Sequence, residues 1–221
     1  MIDENGRPAA AGRDYDRAEI ALDAVVHAVG IVLGIVGATV LIVLAARSSG
    51  FADLPLAIVY ATGLLAMLGL SAAYNLWPVS RIKWVLRRFD HSAIYLLIAA
   101  TYTPFIATAK KASFSYAVLV GIWLVAAVGI ALKLILPGRF DRLSLVLYLL
   151  LGWSGVMMYE AISALPVSVL WLLGAGGLLY TVGVIFHLWQ SLRFQNAIWH
   201  CFVVLAASCH YSAVLGYLGM A

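Results

Sequence analysis

Apolar residues run along this chain in long unbroken blocks, with neither the alternation of a half-buried strand nor the narrow stripe of a soluble helix. Seven blocks stand out: Ala24–Ala46, Leu54–Tyr74, His91–Thr108, Ser115–Leu136, Leu143–Leu165, Val167–Leu188 and Ala197–Leu218. Each is close to the roughly 20 residues that cross hydrocarbon at about 1.5 Å per residue. Turn-forming or charged residues separate them: Ser48-Ser49-Gly50, Pro78, Lys110-Lys111, Pro137-Gly138, Pro166 and Arg193. Pro104 falls inside the third block and should kink it or mark its outer end. The pattern predicts an all-α membrane protein, a bundle of seven transmembrane helices.

Composition sharpens this reading. The chain is 64% hydrophobic and 11% charged, with a mean hydropathy of +1.00. A soluble domain of this length needs far more polar surface, whereas lipid tolerates an apolar exterior. Residues 1–17 are polar and of mixed charge, without the apolar run of a cleaved signal peptide, and read as a disordered cytoplasmic arm. Residues 18–221 then form a single seven-helix transmembrane domain. The net charge of +4 does not indicate nucleic acid, because the basic residues are scattered through the loops.

The placement of those basic residues orients the bundle. Arg7, Arg13, Arg17, Arg81, Lys83, Arg87, Arg88, Lys133, Arg139, Arg142 and Arg193 fall on one side, and Arg47, Lys110 and Lys111 on the other. The positive-inside bias therefore predicts a cytoplasmic N-terminus, an outside C-terminus and a multi-pass protein of the inner (plasma) membrane. Glycines at helical spacing, Gly30, Gly34 and Gly37 in the first block and Gly174, Gly177 and Gly183 in the sixth, predict close helix packing. Cys201 and Cys209 lie about 12 Å apart on one helix, too far for a disulfide, and read as packing residues.

Polar side chains near hydrocarbon cost about 2.5–3.5 kcal/mol each when charged, so their positions carry information. Ser71 and Asn75 close the second block, Asp90 and His91 open the third, and Asn196 and His200 open the seventh, all at the cytoplasmic level. Glu19, Asp23 and His27 step by four residues into the first block and form one helical stripe. Four helices thus bring acids, amides and histidines to one depth. Simple explanations compete: pairing of Asp90 with Arg87 or Arg88, interhelical hydrogen bonds for the amide pairs, and interfacial positions for His187 and Glu160. His210 lies about 15 Å deeper than His200 and reads as a buried hydrogen-bonding residue.

These residues are carried by segments that resemble the hemolysin III family, the bacterial relatives of the progestin and adipoQ receptor proteins. The carrying segments are Glu19…His27-Ala-Val-Gly30, Ser71-Ala-Ala-Tyr-Asn75-Leu-Trp-Pro78, Leu86 to Phe105 around Asp90 and Pro104, and Asn196-Ala-Ile-Trp-His200-Cys-Phe-Val. The resemblance implies a zinc site near the cytoplasmic face, with one His closing the second helix, a His-x3-His pair opening the seventh, and an Asp and a Ser supporting a bound water. Such a site has the open form of catalytic zinc, and relatives are tied to hydrolysis of lipid amides. Carried over, the metal positions are Asn75, Asn196 and His200, and the catalytic positions Asp90 and Ser71. Two metal positions hold Asn where the family has His, so zinc is expected to bind weakly or not at all there. Asp90, His27, Asp23 and Glu19 could rebuild an oxygen-rich site, a possibility that spacing leaves open.

Three functions follow. The first is a membrane protein that affects membrane or lipid homeostasis through a degraded metal site. The second is a metal-dependent hydrolase of a lipid amide or ester using Asp90 and His200. The third, a transporter or pore, lacks paired discontinuous helices and midplane charge. A retinal-type receptor is excluded because the seventh block contains no Lys. Membrane lipids are the expected partners in the two leading cases.

Overall fold

The computed structural model describes residues 15–48, 52–107, 112–136, 141–158 and 165–218. Seven α-helices are present among them: α1 (Arg17–Ser48), α2 (Leu54–Leu76), α3 (Arg81–Ala107), α4 (Ala112–Ile135), α5 (Asp141–Trp153), α6 (Val167–Leu188) and α7 (Gln195–Leu218). Five of them, α1, α2, α4, α6 and α7, are long and apolar enough to cross a membrane. Expectations resting on Arg7, Arg13, Lys110, Lys111, Pro137, Gly138, Arg139 and Glu160 lie outside the described residues.

Helix α3 begins at Arg81, ten residues before the predicted opening at His91. Arg81, Lys83, Arg87 and Arg88 are therefore helical rather than loop residues. The stretch contains no Gly or Pro, and Arg, Lys and Leu are good helix formers, so nothing stops the helix before Pro78. Pro78 forces its predecessor Trp77 into an extended conformation (φ −70°, ψ 139°), which ends α2. The Lys83 ammonium then donates to the carbonyls of Asn75 (3.0 Å) and Trp77 (2.9 Å), capping that end of α2. Pro104 produces no break: it is buried in the last turn of α3, which continues to Ala107.

Helix α5 is shorter than the block that predicted it. It gives way at Ser154–Met158 to a 3₁₀ turn, and a side chain from α3 accounts for the change. The Tyr102 hydroxyl donates to the Gly152 carbonyl (2.7 Å) and accepts from the Gly155 N–H (2.7 Å), taking backbone groups that a regular α-helix would pair with Val156 and Leu151 respectively.

Helix α7 packs against α1, α3 and α6, and α2 lies between α1 and α3. The main core joins Leu41 and Ala45 of α1 with Tyr60, Leu64 and Met67 of α2, Leu97 of α3, Val169 of α6, and Val214 of α7. A second core holds Tyr95 and Ala99 of α3 against Ile122 and Ala126 of α4 and Leu151 of α5. The outside is covered with large apolar side chains such as Val25, Val32, Val36, Leu124, Trp171 and Leu205. That exterior suits lipid as the outer solvent. The cysteines are free, with Cys201 exposed.

The glycines matter through backbone approach. At Gly34 an added methyl would strike Leu68 of α2, and at Gly63 it would lie 2.7 Å from the Ala100 Cβ of α3. Gly174 of the predicted stripe has open space in front of it and borders a cavity. Gly63→Ala should therefore cost about 1–3 kcal/mol by overpacking. Gly69→Ala on the same helix meets nothing within 4 Å and should be neutral or stabilising by about 0.5–1 kcal/mol. Thermal midpoints of the two variants in one detergent test the contrast.

A polar clamp ties α3, α4 and α5 together at their basic end. Asp141 accepts from Arg87 (2.6 Å) and from Lys133 (2.7 Å), whose side chain is almost fully buried. Partial burial pushes the Asp141 carboxyl up, but the Lys133 ammonium and the Arg87 guanidinium more than offset this and hold it at about 2. Because that is below the usual ~3.9, the clamp stabilises the fold fully above about pH 4 and is lost as pH falls toward 2. Asp141→Asn should lower stability at neutral pH by about 1–2 kcal/mol, a figure reduced by the partial exposure of the carboxylate. Melting curves across that pH range should show the acid-dependent loss in the parent chain and a smaller one in the variant.

Candidate functional site

The polar residues expected at one depth do converge, and helix geometry explains how. Glu19, Asp23 and His27 occupy successive turns of α1 on one face. All three are buried, at 3%, 4% and 5% exposure. His200 of α7, also buried, places its Nδ1 2.6 Å from Asp23 Oδ1. The His27 and His200 rings approach to 4.3 Å between centroids. His27 Nε2 lies 3.6 Å from Asp23 Oδ2, beyond hydrogen-bonding distance, and is a buried nitrogen without a hydrogen-bond partner.

The two asparagines face this group. Asn196 Nδ2 donates to Asp23 Oδ2 (2.8 Å) and to Asn75 Oδ1 (3.0 Å). Asn75 Nδ2 donates to the Ser71 carbonyl (2.9 Å) and lies 3.4 Å from the Ser71 hydroxyl. A chain of two amides thus links the Asp23 carboxylate on α1 to Ser71 on α2. Ser71 and Asp90 both border the cavity described below.

Asp90 is not neutralised by its basic neighbours in sequence. Arg87 turns to Asp141, and Arg88 donates to the Leu134 carbonyl at 3.4 Å. The His91 imidazole sits between acids, with Nε2 3.9 Å from Asp90 and Nδ1 4.0 Å from Asp141. Glu19 also has a different task. It forms a reciprocal cap with Asp16, in which Glu19 N–H donates to Asp16 Oδ1 (2.8 Å) and Asp16 N–H to Glu19 Oε2 (3.0 Å). Its other oxygen accepts from the N–H of Phe194 (2.9 Å), holding that residue at φ 60°, an uncommon conformation for a side chain of this size. Tyr15, assigned by sequence to the arm, donates to Gln195 Oε1 at 3.1 Å. His187 borders the same cavity and lies against Trp199, ring centroids 5.1 Å apart.

Ser71, Asn75, Asp90, Asn196 and His200 all border one cavity of about 1730 Å³, together with Asp23. That exceeds the ~300–1,000 Å³ of a pocket for a compact small molecule and suits a long ligand. Its deeper wall is apolar, with Met67, Ile94, Leu97, Leu173, Val184 and Val203. The cavity is a polar head leading into a greasy shaft.

The donor set fits a divalent metal. Asp23, His27 and His200 each offer a ligand atom, these atoms lie within 4.8 Å of one another, and all three residues are buried. Two imidazoles and a carboxylate suit zinc or another first-row metal, and the partnerless His27 nitrogen is the orphan such an ion would satisfy. The sequence resemblance put the metal positions at Asn75, Asn196 and His200 and left Asp23, His27, Glu19 and Asp90 open as an oxygen-rich alternative; of these, Asp23 and His27 lie with His200. The available signal was compensation: an acid and a His on α1 at the depth where α2 and α7 carry amides.

Comparison with known proteins agrees with this architecture. The family described as "Haemolysin-III related" matches residues 18–211. "Hemolysin-3 homolog" of Bacillus subtilis (strain 168) is 35% identical over 199 residues, 88% of this chain and 92% of its own length. "Hemolysin-3" of Bacillus cereus is 34% identical over 208 residues, 92% and 93% of the two chains. A human relative, "Monocyte to macrophage differentiation factor", is 31% identical over 166 residues, covering 72% and 69%. With a family match across nearly all of the membrane region and bacterial relatives alike over almost their full length, the chain belongs to the haemolysin-III related family.

Proposed function

We propose that this multi-pass membrane protein is a metal-dependent hydrolase that cleaves a lipid amide or ester in the inner leaflet of the plasma membrane. The observation that carries the reading is the buried Asp23–His27–His200 group, two members of which, Asp23 and His200, border the polar head of a long, mostly apolar cavity. The three residues would hold the metal. When bound, it supplies Lewis acidity and lowers the pKa of a coordinated water.

The protein's own residues have separable tasks. Asn196 and Asn75 hold the Asp23 carboxylate in place, as partners behind a metal ligand do. Asp90, within reach of the Ser71 hydroxyl and on the cavity wall, is placed to take a proton from water and pass it to the leaving amine or alcohol. Hydrolysis then adds the elements of water across the acyl bond, giving a carboxylic acid and the amine or alcohol. The apolar shaft would receive the acyl chain. With Asp23 and His27 as fellow ligands, His200 would not depend on the weakly binding amides of Asn75 and Asn196.

A second reading has its own support. Both oxygens of Asp23 already have protein partners, His200 and Asn196. A network complete in itself would suit a protein that adjusts membrane or lipid state without hydrolysis, with the polar residues as an interhelical tie.

Metal content separates the two readings. Protein purified without chelator should contain about one equivalent of a divalent first-row metal. His27→Ala should lower that content at least tenfold while leaving the fold intact by circular dichroism, since its nitrogen makes no other hydrogen bond. Asp90→Asn should keep the metal but reduce release of fatty acid from an N-acyl amide or ester in vesicles by about 10²–10⁴-fold, the span of general acid–base catalysis. Metal-free parent protein, or a content unchanged in His27→Ala, would favour the network reading.

The orientation we propose is seven spans with the basic end in the cytoplasm, supported by the eleven-to-three split of Lys and Arg. A phosphatase reporter active only outside the cytoplasm should be active after Ala221 and inactive after Ser80. The reverse pattern would invert the bundle and with it the leaflet assigned to the substrate.

A further inference from the structure

The cavity has a second polar station partway along its length, used by nothing described so far. His210 follows His200 by ten residues on the uninterrupted helix α7, which places it about 15 Å further along the axis. Both histidines border the same cavity. Tyr180 of α6 stands beside His210 on that wall, ring centroids 5.6 Å apart, and its hydroxyl is buried with no hydrogen-bond partner. His210 Nε2 makes only a long contact, 3.3 Å, with the Leu173 carbonyl. The fully buried Tyr60 of α2 is a second tyrosine whose hydroxyl lacks a partner, and it lies within electrostatic reach of Tyr180.

Packing makes room for this arrangement. Any side chain at position 176 would collide with the His210 ring, so Gly176 lets the imidazole lie against the α6 backbone. Gly174 and Gly177 also border the cavity, and nothing lies within 4 Å in front of Gly174. Between the two stations the wall is apolar, formed by Met67, Leu97, Val184 and Val203. Buried hydroxyls nearly always have partners, and an apolar chain alone would leave that of Tyr180 unsatisfied. A ligand with a second oxygen at this depth would satisfy it.

We propose that Tyr180 and His210 form a subsite for a hydroxyl or keto oxygen carried on the chain of a lipid, about 15 Å from its head group. The ligand class is a single-chain lipid with oxygen at both places, rather than a plain saturated or unsaturated chain. The inference rests on the reading of the cavity as a lipid site, and it is independent of whether the head of the cavity holds metal.

Oleyl alcohol and ricinoleyl alcohol make the test. They are neutral, cannot be hydrolysed, and differ by one hydroxyl partway along the chain. Each would be titrated against a fluorescent fatty-alcohol probe on the purified full chain. The hydroxylated chain should bind roughly tenfold tighter, the worth of one neutral hydrogen bond. Tyr180→Phe should erase that preference while leaving oleyl alcohol binding unchanged. His210→Phe, which keeps an aromatic ring without its nitrogens, is the independent second variant and should weaken the hydroxylated chain alone. Equal binding of the two alcohols by the parent chain would overturn the subsite, as would variants that weaken both alike. Failure of both alcohols to displace the probe would instead sink the lipid-cavity reading, and the subsite with it.

Discussion

The contact between Asp23 and His200 joins the first helix to the last, and the polar half of the bundle is arranged around it. A carboxylate on a membrane helix is costly to bury and worse to leave unpaired, where the loss reaches about 3–5 kcal/mol. Asp23 meets that constraint with an imidazole on one oxygen and the Asn196 amide on the other. Asn196 is then oriented by Asn75, and Asn75 by Ser71. One buried charge thereby sets side-chain positions on α1, α2 and α7. The same polar groups form the head of the large cavity, whose wall beyond them is mostly apolar.

Much of the fold was legible because lipid imposes a simple rule: long apolar runs become helices. All seven predicted blocks correspond to helices in the structure. The errors have physical causes. Helix α3 starts early because charged residues without a Gly or Pro keep the helix going past the apolar boundary. Helix α5 ends early because Tyr102, far away in sequence, takes over its backbone hydrogen bonds. Neither hydropathy nor local propensity reports a contact of that kind.

The site was half legible. Depth could be read from position along each block, so the meeting of Ser71, Asn75, Asp90, Asn196 and His200 on one cavity followed from sequence. Partner choice could not. Arg87 beside Asp90 in sequence is a natural partner, yet it pairs with Asp141 of α5, although all three residues border the same cavity. Glu19 and Asp23 look equivalent four residues apart, but only Asp23 reaches the histidines, while Glu19 caps its own helix and the turn before α7. Such differences depend on rotation and tilt between helices, which one sequence does not encode locally.

The amide-to-acid wiring has a consequence for how this centre can change. An imidazole placed at position 196 alone would meet a carboxylate already bonded to His200, and an Asn placed at 23 alone would strip His200 of its anion. Each single step lands in an unpaired buried group, whereas a joint change at 23, 75 and 196 can leave every atom satisfied. These three positions therefore behave like the tumblers of one lock. Routes between this arrangement and one built on histidines of α2 and α7 run through coordinated substitutions, with strongly non-additive intermediates along the way.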